Sequence, residues 1–302
     1  MKRIGSLLAV LSVAVAGCGP DGGGAPVVTL LSPEGASHAQ PAFSPDGRQV
    51  AYWTPRGAGW DLVVAQADLS EPRTVATSLQ IGPASWSPDG SWLAFASNAW
   101  GTGLDLAIVP AAGGEIRRLT TSPAFEVPMA WHPSGDRLAY LQTAEGGTIR
   151  TSVVSLAGGE GTPLLSDGRP HVAAWSPDGS LVAINFFTAG QGSIWAADSA
   201  GGNLRQLTTE GLEEFDPWNQ SWSPDGSEFA YLSRHTGTAD IWVMPVNGGP
   251  ARQLTNDLRD DTQPAWSPDG RWVAFLSTRG QQTDIWVAPS TGGDAIRVTD
   301  DA

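Results

Sequence analysis

One short motif returns six times and limits what this chain can fold into more than any other feature. An aromatic residue followed by Ser-Pro-Asp-Gly, or a near variant, starts at Phe43, Trp86, Trp131 (as Trp-His-Pro-Ser-Gly), Trp175, Trp222 and Trp266. The steps between them are 43, 45, 44, 47 and 44 residues. A fixed period of this kind means that one supersecondary unit is repeated, and a spacing of about 40–45 residues is that of a four-stranded propeller blade. The motif itself reads as a tight turn. Pro presets φ at the second position, Asp suits the third, and Gly accepts the left-handed conformation after it.

Other elements keep phase with the turn. Each motif is followed by an apolar strand such as Trp272-Val273-Ala274-Phe275-Leu276. It is apolar on consecutive positions, as expected where both faces of a sheet are covered. A third strand begins 18 or 19 residues after the anchor, as in Asp61-Leu62-Val63-Val64, Asp105-Leu106-Ala107-Ile108, Asp240-Ile241-Trp242-Val243 and Asp284-Ile285-Trp286-Val287. Gly-Gly pairs at 113, 158, 201, 248 and 292 supply a hairpin turn, with Leu69-Ser70 in the first unit. A short fourth strand closes each unit. Its Arg and Thr residues, as in Arg117-Arg118-Leu119-Thr120 and Arg252-Gln253-Leu254-Thr255, suit a half-exposed edge.

Six complete units account for residues 41–299. The expected fold is all-β, a six-bladed propeller of four-stranded antiparallel blades over 27–302. The 37 Gly and 23 Pro leave few segments long enough for a helix. Val27-Val28-Thr29-Leu30-Leu31 reads as a spare outer strand that would pair on the last blade, beside or instead of Ile296 to Thr299.

The N-terminus reads as an address. Lys2 and Arg3 precede an apolar run from Ile4 to Gly17, too short to span a bilayer and suited to a signal peptide. It ends in Val15-Ala16-Gly17-Cys18, which resembles the bacterial lipobox. Residues 1–17 are then a lipoprotein signal peptide, Cys18 is the lipidated residue, and 18–26 form a flexible tether. Cys18 is the one cysteine, so an intramolecular disulfide is impossible. Gly19, where Asp would signal inner-membrane retention, favours an outer-membrane address. Loss of Lys2 and Arg3 takes the net charge from −14 to −16. Such a field repels nucleic-acid backbones, and no nucleic-acid partner is expected.

The repeats resemble the TolB-like propeller family, whose blades carry the same Trp-Ser-Pro-Asp-Gly turn and Asp-Ile-Trp strand. The resemblance covers nearly all of the mature chain. It implies the propeller and leaves function open, since the same blades serve TolB, peptidase propeller domains and some polysaccharide lyases. TolB itself carries an α/β domain before its propeller; here the tether leads straight into the repeats.

The sequence offers no catalytic constellation. There is no Gly-X-Ser-X-Gly elbow. The four His residues (38, 132, 171, 235) make no zinc-type pair, and no calcium loop occurs. No metal or cofactor is expected. His132 takes the place of the turn Ser, and Asp257, Asp260 and Asp261 read as a solvated acidic loop. Most of the 14 Trp are repeat anchors or third-strand residues.

The segments that join one unit to the next converge at one mouth of the central channel. In chain order they bring His38 and Gln40; Gln80; Glu126; His171; Asp216, Trp218 and Gln220; Asp261 and Gln263. Such a polar ring around a concave opening is the expected ligand site. The favoured function is a non-catalytic binding or scaffold module, lipid-anchored at the cell envelope, that holds a protein, peptide or glycan. The alternative is a polysaccharide lyase or hydrolase with His171 and Glu126 or Asp216 as base and acid.

Overall fold

The structure is a computed structural model that describes residues 39–299 apart from 80–81, 83, 102, 144–148, 166–172, 189–190, 209–219 and 280–282. Among the described residues the regular elements are β-strands, in six antiparallel sheets of four. Blade one is β1 (Ala39–Phe43), β2 (Gln49–Arg56), β3 (Gly59–Gln66) and β4 (Arg73–Ser78). Blade two is β5 (Ser85–Trp86), β6 (Trp92–Ser97), β7 (Asp105–Pro110) and β8 (Arg117–Arg118). Blade three is β9 (Glu126–Trp131), β10 (Arg137–Thr143), β11 (Ile149–Ser155) and β12 (Thr162–Pro163). Blade four is β13 (Ala173–Trp175), β14 (Leu181–Thr188), β15 (Gln191–Asp198) and β16 (Arg205–Gln206). Blade five is β17 (Gln220–Trp222), β18 (Glu228–Ser233), β19 (Asp240–Pro245) and β20 (Arg252–Gln253). Blade six is β21 (Asp261–Trp266), β22 (Trp272–Ser277), β23 (Asp284–Pro289) and β24 (Ile296–Arg297). This is the six-bladed all-β propeller that the repeat implies. The fourth strand of blade six is Ile296–Arg297; Val27–Leu31 lies outside the described residues.

Each sheet keeps chain order, so successive strands are hydrogen-bonded neighbours. First strands of adjacent blades approach one another, β1 against β5, β5 against β9, β9 against β13 and β17 against β21. They therefore line the centre. Antiparallel order also sorts the loops. The Ser-Pro-Asp-Gly turns and the third-to-fourth hairpins lie on one face, here the turn face. The second-to-third hairpins and the blade-to-blade segments lie on the other, the connection face.

The turn closes with its own side chains. Ser44 Oγ donates to Asp46 Oδ1 (2.6 Å) and accepts the Gln49 N–H (2.9 Å), while Asp46 Oδ1 accepts the Arg48 N–H (3.1 Å). The same Ser–Asp bond recurs at Ser87, Ser176, Ser223 and Ser267. The turn glycines take φ near +70°, as at Gly90 and Gly226. Blade three departs from this. His132 Nδ1 lies 2.6 Å from Ser134 Oγ, and its Nε2 lies 3.1 Å from the Gly179 carbonyl of blade four and 2.9 Å from Arg137 Nη2. Its ring also meets Trp175 edge-on. His132 thus stands in for Ser within its turn and adds a link between blades.

Blades adhere through apolar seams. Five buried clusters each combine adjacent blades, for example Leu106, Ile108, Trp131, Leu138 and Tyr140 between blades two and three. The anchor indoles add direction. Trp86, Trp131 and Trp222 donate Nε1–H to the carbonyls of Ala42, Ser85 and Ala174 on the preceding first strand (2.8, 3.0 and 3.0 Å). Outer arginines do the same at the rim. Arg73, Arg117 and Arg252 donate to the carbonyls of Ala111, Leu156 and Ser290 of the following blade.

One expectation is corrected. The fourth-strand Thr residues are buried rather than half-exposed. Thr120, Thr208 and Thr255 each accept, through Oγ1, the N–H of the residue that follows the head of the third strand: Leu106, Ile194 and Ile241 (2.9 Å each). Thr299 latches Ile285 in the same way (3.0 Å). In the hairpin before the fourth strand, the left-handed position that Gly113, Gly158, Gly201, Gly248 and Gly292 occupy is held in blade one by Leu69, at φ +65°. Side chains are strained there, which is why the other blades use Gly.

Candidate functional site

Four of the candidate ligand residues have described side chains: Glu126, Gln220, Asp261 and Gln263. All lie at the connection-face ends of first strands, on β9, β17 and β21. Gln40 lies at the corresponding end of β1, with only its backbone described. Cys18, His38, Gln80, His171, Asp216 and Trp218 lie outside the described residues. The structure thus gathers the described candidates at one end of the central strands, on the ladders themselves rather than in free loops.

Repeat phase explains their placement. Glu126 and Asp261 both stand five residues before their anchors, Trp131 and Trp266. Blades three and six are three apart, so these acids stand on opposite blades of a six-bladed ring. Gln40 and Gln263 both stand three before theirs, where β1 and β21 carry a bulge. Gln263 takes φ +55° at that bulge. A bulge turns the strand locally and re-aims the side chains around it.

The two acids are completely buried. Glu126 Oε2 accepts from Thr120 Oγ1 and Oε1 from Ser122 Oγ (2.8 Å). The same Thr120 hydroxyl already latches Leu106, so Glu126 completes a chain from β9 to the outer edge of blade two. Burial raises its pKa, the neighbouring Asp105 adds to the rise, and the two hydroxyls oppose it. Asp105 is itself buried and paired with Arg118 (2.9 Å), whose guanidinium lies over Trp100.

The opposite seam repeats the theme with other partners. Asp261 Oδ2 pairs with Arg279 (2.6 Å). The Arg279 guanidinium stacks on Trp286 and Phe275, with centroids at 4.9 and 5.4 Å, and reaches Asp257 (3.6 Å). Asp260 takes both terminal nitrogens of Arg234 (3.1 Å each) and the Ala239 N–H (3.1 Å). Asp257, Asp260 and Asp261 are therefore not a solvated loop. They clamp the second-to-third hairpins of blades five and six. Asp240, buried beside them, has a raised pKa, from burial first and then from the charge of Asp261.

Gln220 differs from the acids. Neither its Oε1 nor its Nε2 has a hydrogen-bond partner among the described residues, although both atoms are shielded from water. A primary amide left unpaired there costs free energy unless something completes it. No cluster of three or more His, Cys, Asp or Glu suited to a metal occurs among the described residues. The arginines of these seams escape a reading by motif. Of these, Arg118 alone carries a sequence signal, the recurring Arg or Gln two residues before the latch Thr, as at Arg118, Gln206, Gln253 and Arg297.

Taken together, the blades define a six-bladed β-propeller. The model of the TolB beta propeller domain matches residues 21–219 and 175–301. The chain belongs to that family. Among solved structures it is similar to a protein assigned as TolB from Agrobacterium tumefaciens, at 22% identity over 76% of this chain and 84% of that one, with a TM-score of 0.58. It is similar to TolB from Acinetobacter baumannii at 20% identity and a TM-score of 0.59. That match covers 77% of this chain and 57% of the other, so this chain spans little more than half of that TolB. Oligogalacturonate lyase from Vibrio parahaemolyticus aligns at 14% identity over 85% of this chain and 76% of its own, with a TM-score of 0.67. At these identities the likeness concerns fold. Comparison with curated proteins finds no match.

Proposed function

We propose that this chain is a lipid-anchored, non-catalytic binding module of the bacterial envelope, which holds a protein, peptide or glycan at the connection-face mouth. Cys18 carries the lipid, and the outer membrane is the favoured address. The observation that carries the binding reading is Gln220, whose amide has both ends unpaired among the described residues at that mouth. His38, Gln40, Gln80, His171, Asp216, Trp218 and Gln263 share the proposed site by repeat phase. Glu126 and Asp261 support it from within the seams. Because the Glu126 carboxyl is fully buried and hydrogen-bonded, its geometry does not favour the alternative of a propeller enzyme using it with His171 on polysaccharide.

The test is a pull-down from envelope extract with residues 19–302 as bait. A second bait carries His171→Ala, Asp216→Ala and Gln220→Ala, with Glu126 kept to spare the seam. A partner retained by the first bait and lost from the second supports the reading. Equal recovery from both moves the site away from the mouth. Unsaturated products released from acidic polysaccharide would replace it with the enzyme reading.

A further inference from the structure

Large apolar side chains left in water are distributed unevenly over the two faces. Among the described residues six are exposed, and four of these are on the connection face: Leu79, Trp100, Phe125 and Leu258. Leu258 is 91% and Leu79 65% exposed. The turn face carries one, Leu204, and Ile296 is on an outermost strand. Leu79, Trp100 and Phe125 follow one another over blades one to three, and Leu258 stands between blades five and six, all on the same face. A Cβ on Gly59 would touch Leu79, and Leu104 beside the Trp100 hairpin bridges to Phe125. Exposed Arg259 adjoins Leu258.

The chain also enters the fold from this side. β1 begins at Ala39 on the connection face, and 20 residues separate it from Cys18. The expected tether, 19–26, reaches about 28 Å when fully extended, so the propeller stays close to the surface that holds the anchor. Trp, Phe and Leu suit a headgroup layer, where rings and leucines enter, and the Arg259 guanidinium can meet phosphate. The mature charge of −16 opposes an anionic surface and favours a zwitterionic one.

We infer that the connection face rests on a zwitterionic bilayer surface, with Leu79, Trp100, Phe125 and Leu258 in its headgroup layer. The inference rests on the proposed anchor at Cys18. It also narrows the partner: a mouth turned to the bilayer selects molecules presented at the membrane surface over those free in solution.

Acylation of Cys18 leaves no other thiol, so an introduced cysteine is the single labelling site. The lipidated full-length protein is expressed in a bacterial host and its Cys18 checked by mass spectrometry. Variants Leu79→Cys, Leu258→Cys and, on the turn face, Leu204→Cys carry an environment-sensitive fluorophore in phosphatidylcholine vesicles. Quenching by iodide is expected to be about threefold weaker at 79 and 258 than at 204, with blue-shifted emission. Equal quenching at the three positions with Cys18 acylated overturns the face and leaves the anchor standing. An unmodified Cys18 overturns both. Shielding at 79 and 258 that grows with protein concentration without vesicles assigns the face to a second copy of the chain and overturns the proposal.

Discussion

Glu126→Ala separates a structural acid from a ligand group. The wild-type carboxyl is fully buried and bonded to Thr120 and Ser122. Removing it strands the Thr120 hydroxyl proton in a position 2% exposed, whereas half-buried Ser122 can recover water. An unsatisfied buried donor costs about 1–3 kcal/mol. The lost methylene adds about 0.8 kcal/mol of burial. A total near 3 kcal/mol corresponds to a melting point lower by roughly 6–12 °C for a domain of this size. Glu126→Gln is the control. Its amide can accept from Thr120 and donate to Ser122, and it removes a charge beside Asp105, so its melting point should stay within about 3 °C of wild type. Differential scanning calorimetry of the three proteins at neutral pH decides the matter. If Glu126→Ala melts with wild type, the carboxyl is no clamp, and its place at the mouth is free for a ligand.

Arg279→Met leaves the Asp261 carboxylate buried without its cation and should cost about 3–5 kcal/mol, measurable by urea denaturation; an unchanged midpoint would show that Asp261 is satisfied otherwise. Thr255→Val keeps the shape of the latch but strands the Ile241 N–H, for a loss of about 1–2 kcal/mol by the same assay, against near neutrality for exposed Thr291→Val. Titration should show two opposed arms. The turn carboxylates of Asp89, Asp178, Asp225 and Asp269 are held down at about 2 by hydrogen bonds, from Ser87, Ser176, Ser223 and Ser267 first. Their stabilisation is present above pH 3.8 and is lost as pH falls through about 2. Glu126 and Asp240 have raised values, so their stabilising contribution is fully present below the ordinary carboxylate range and is lost as pH rises through their folded values. The melting point should therefore pass through a maximum in mild acid, and a monotonic rise to pH 8 would remove the buried acids from this account.

The fold was legible because its decisive interactions are local. In five of the six turns Ser and Asp bond within five residues of one another, so the motif specifies the reversal there. Repetition at a fixed period then left little choice of architecture. The chemistry of the mouth depended on distance in the chain. Asp261 is paired from 18 residues downstream, and Asp240, 21 residues upstream, feels its charge. No motif spans those separations. A Thr read as an edge residue became a buried latch once blade three covered blade two, and an acidic run read as solvated became a clamp once two arginine-bearing hairpins closed on it. Sequence alone determined the number of blades, their strand order and the turn that starts each one. Only the tertiary structure decided which polar groups lose their water, because burial at a seam is conferred by the neighbouring blade.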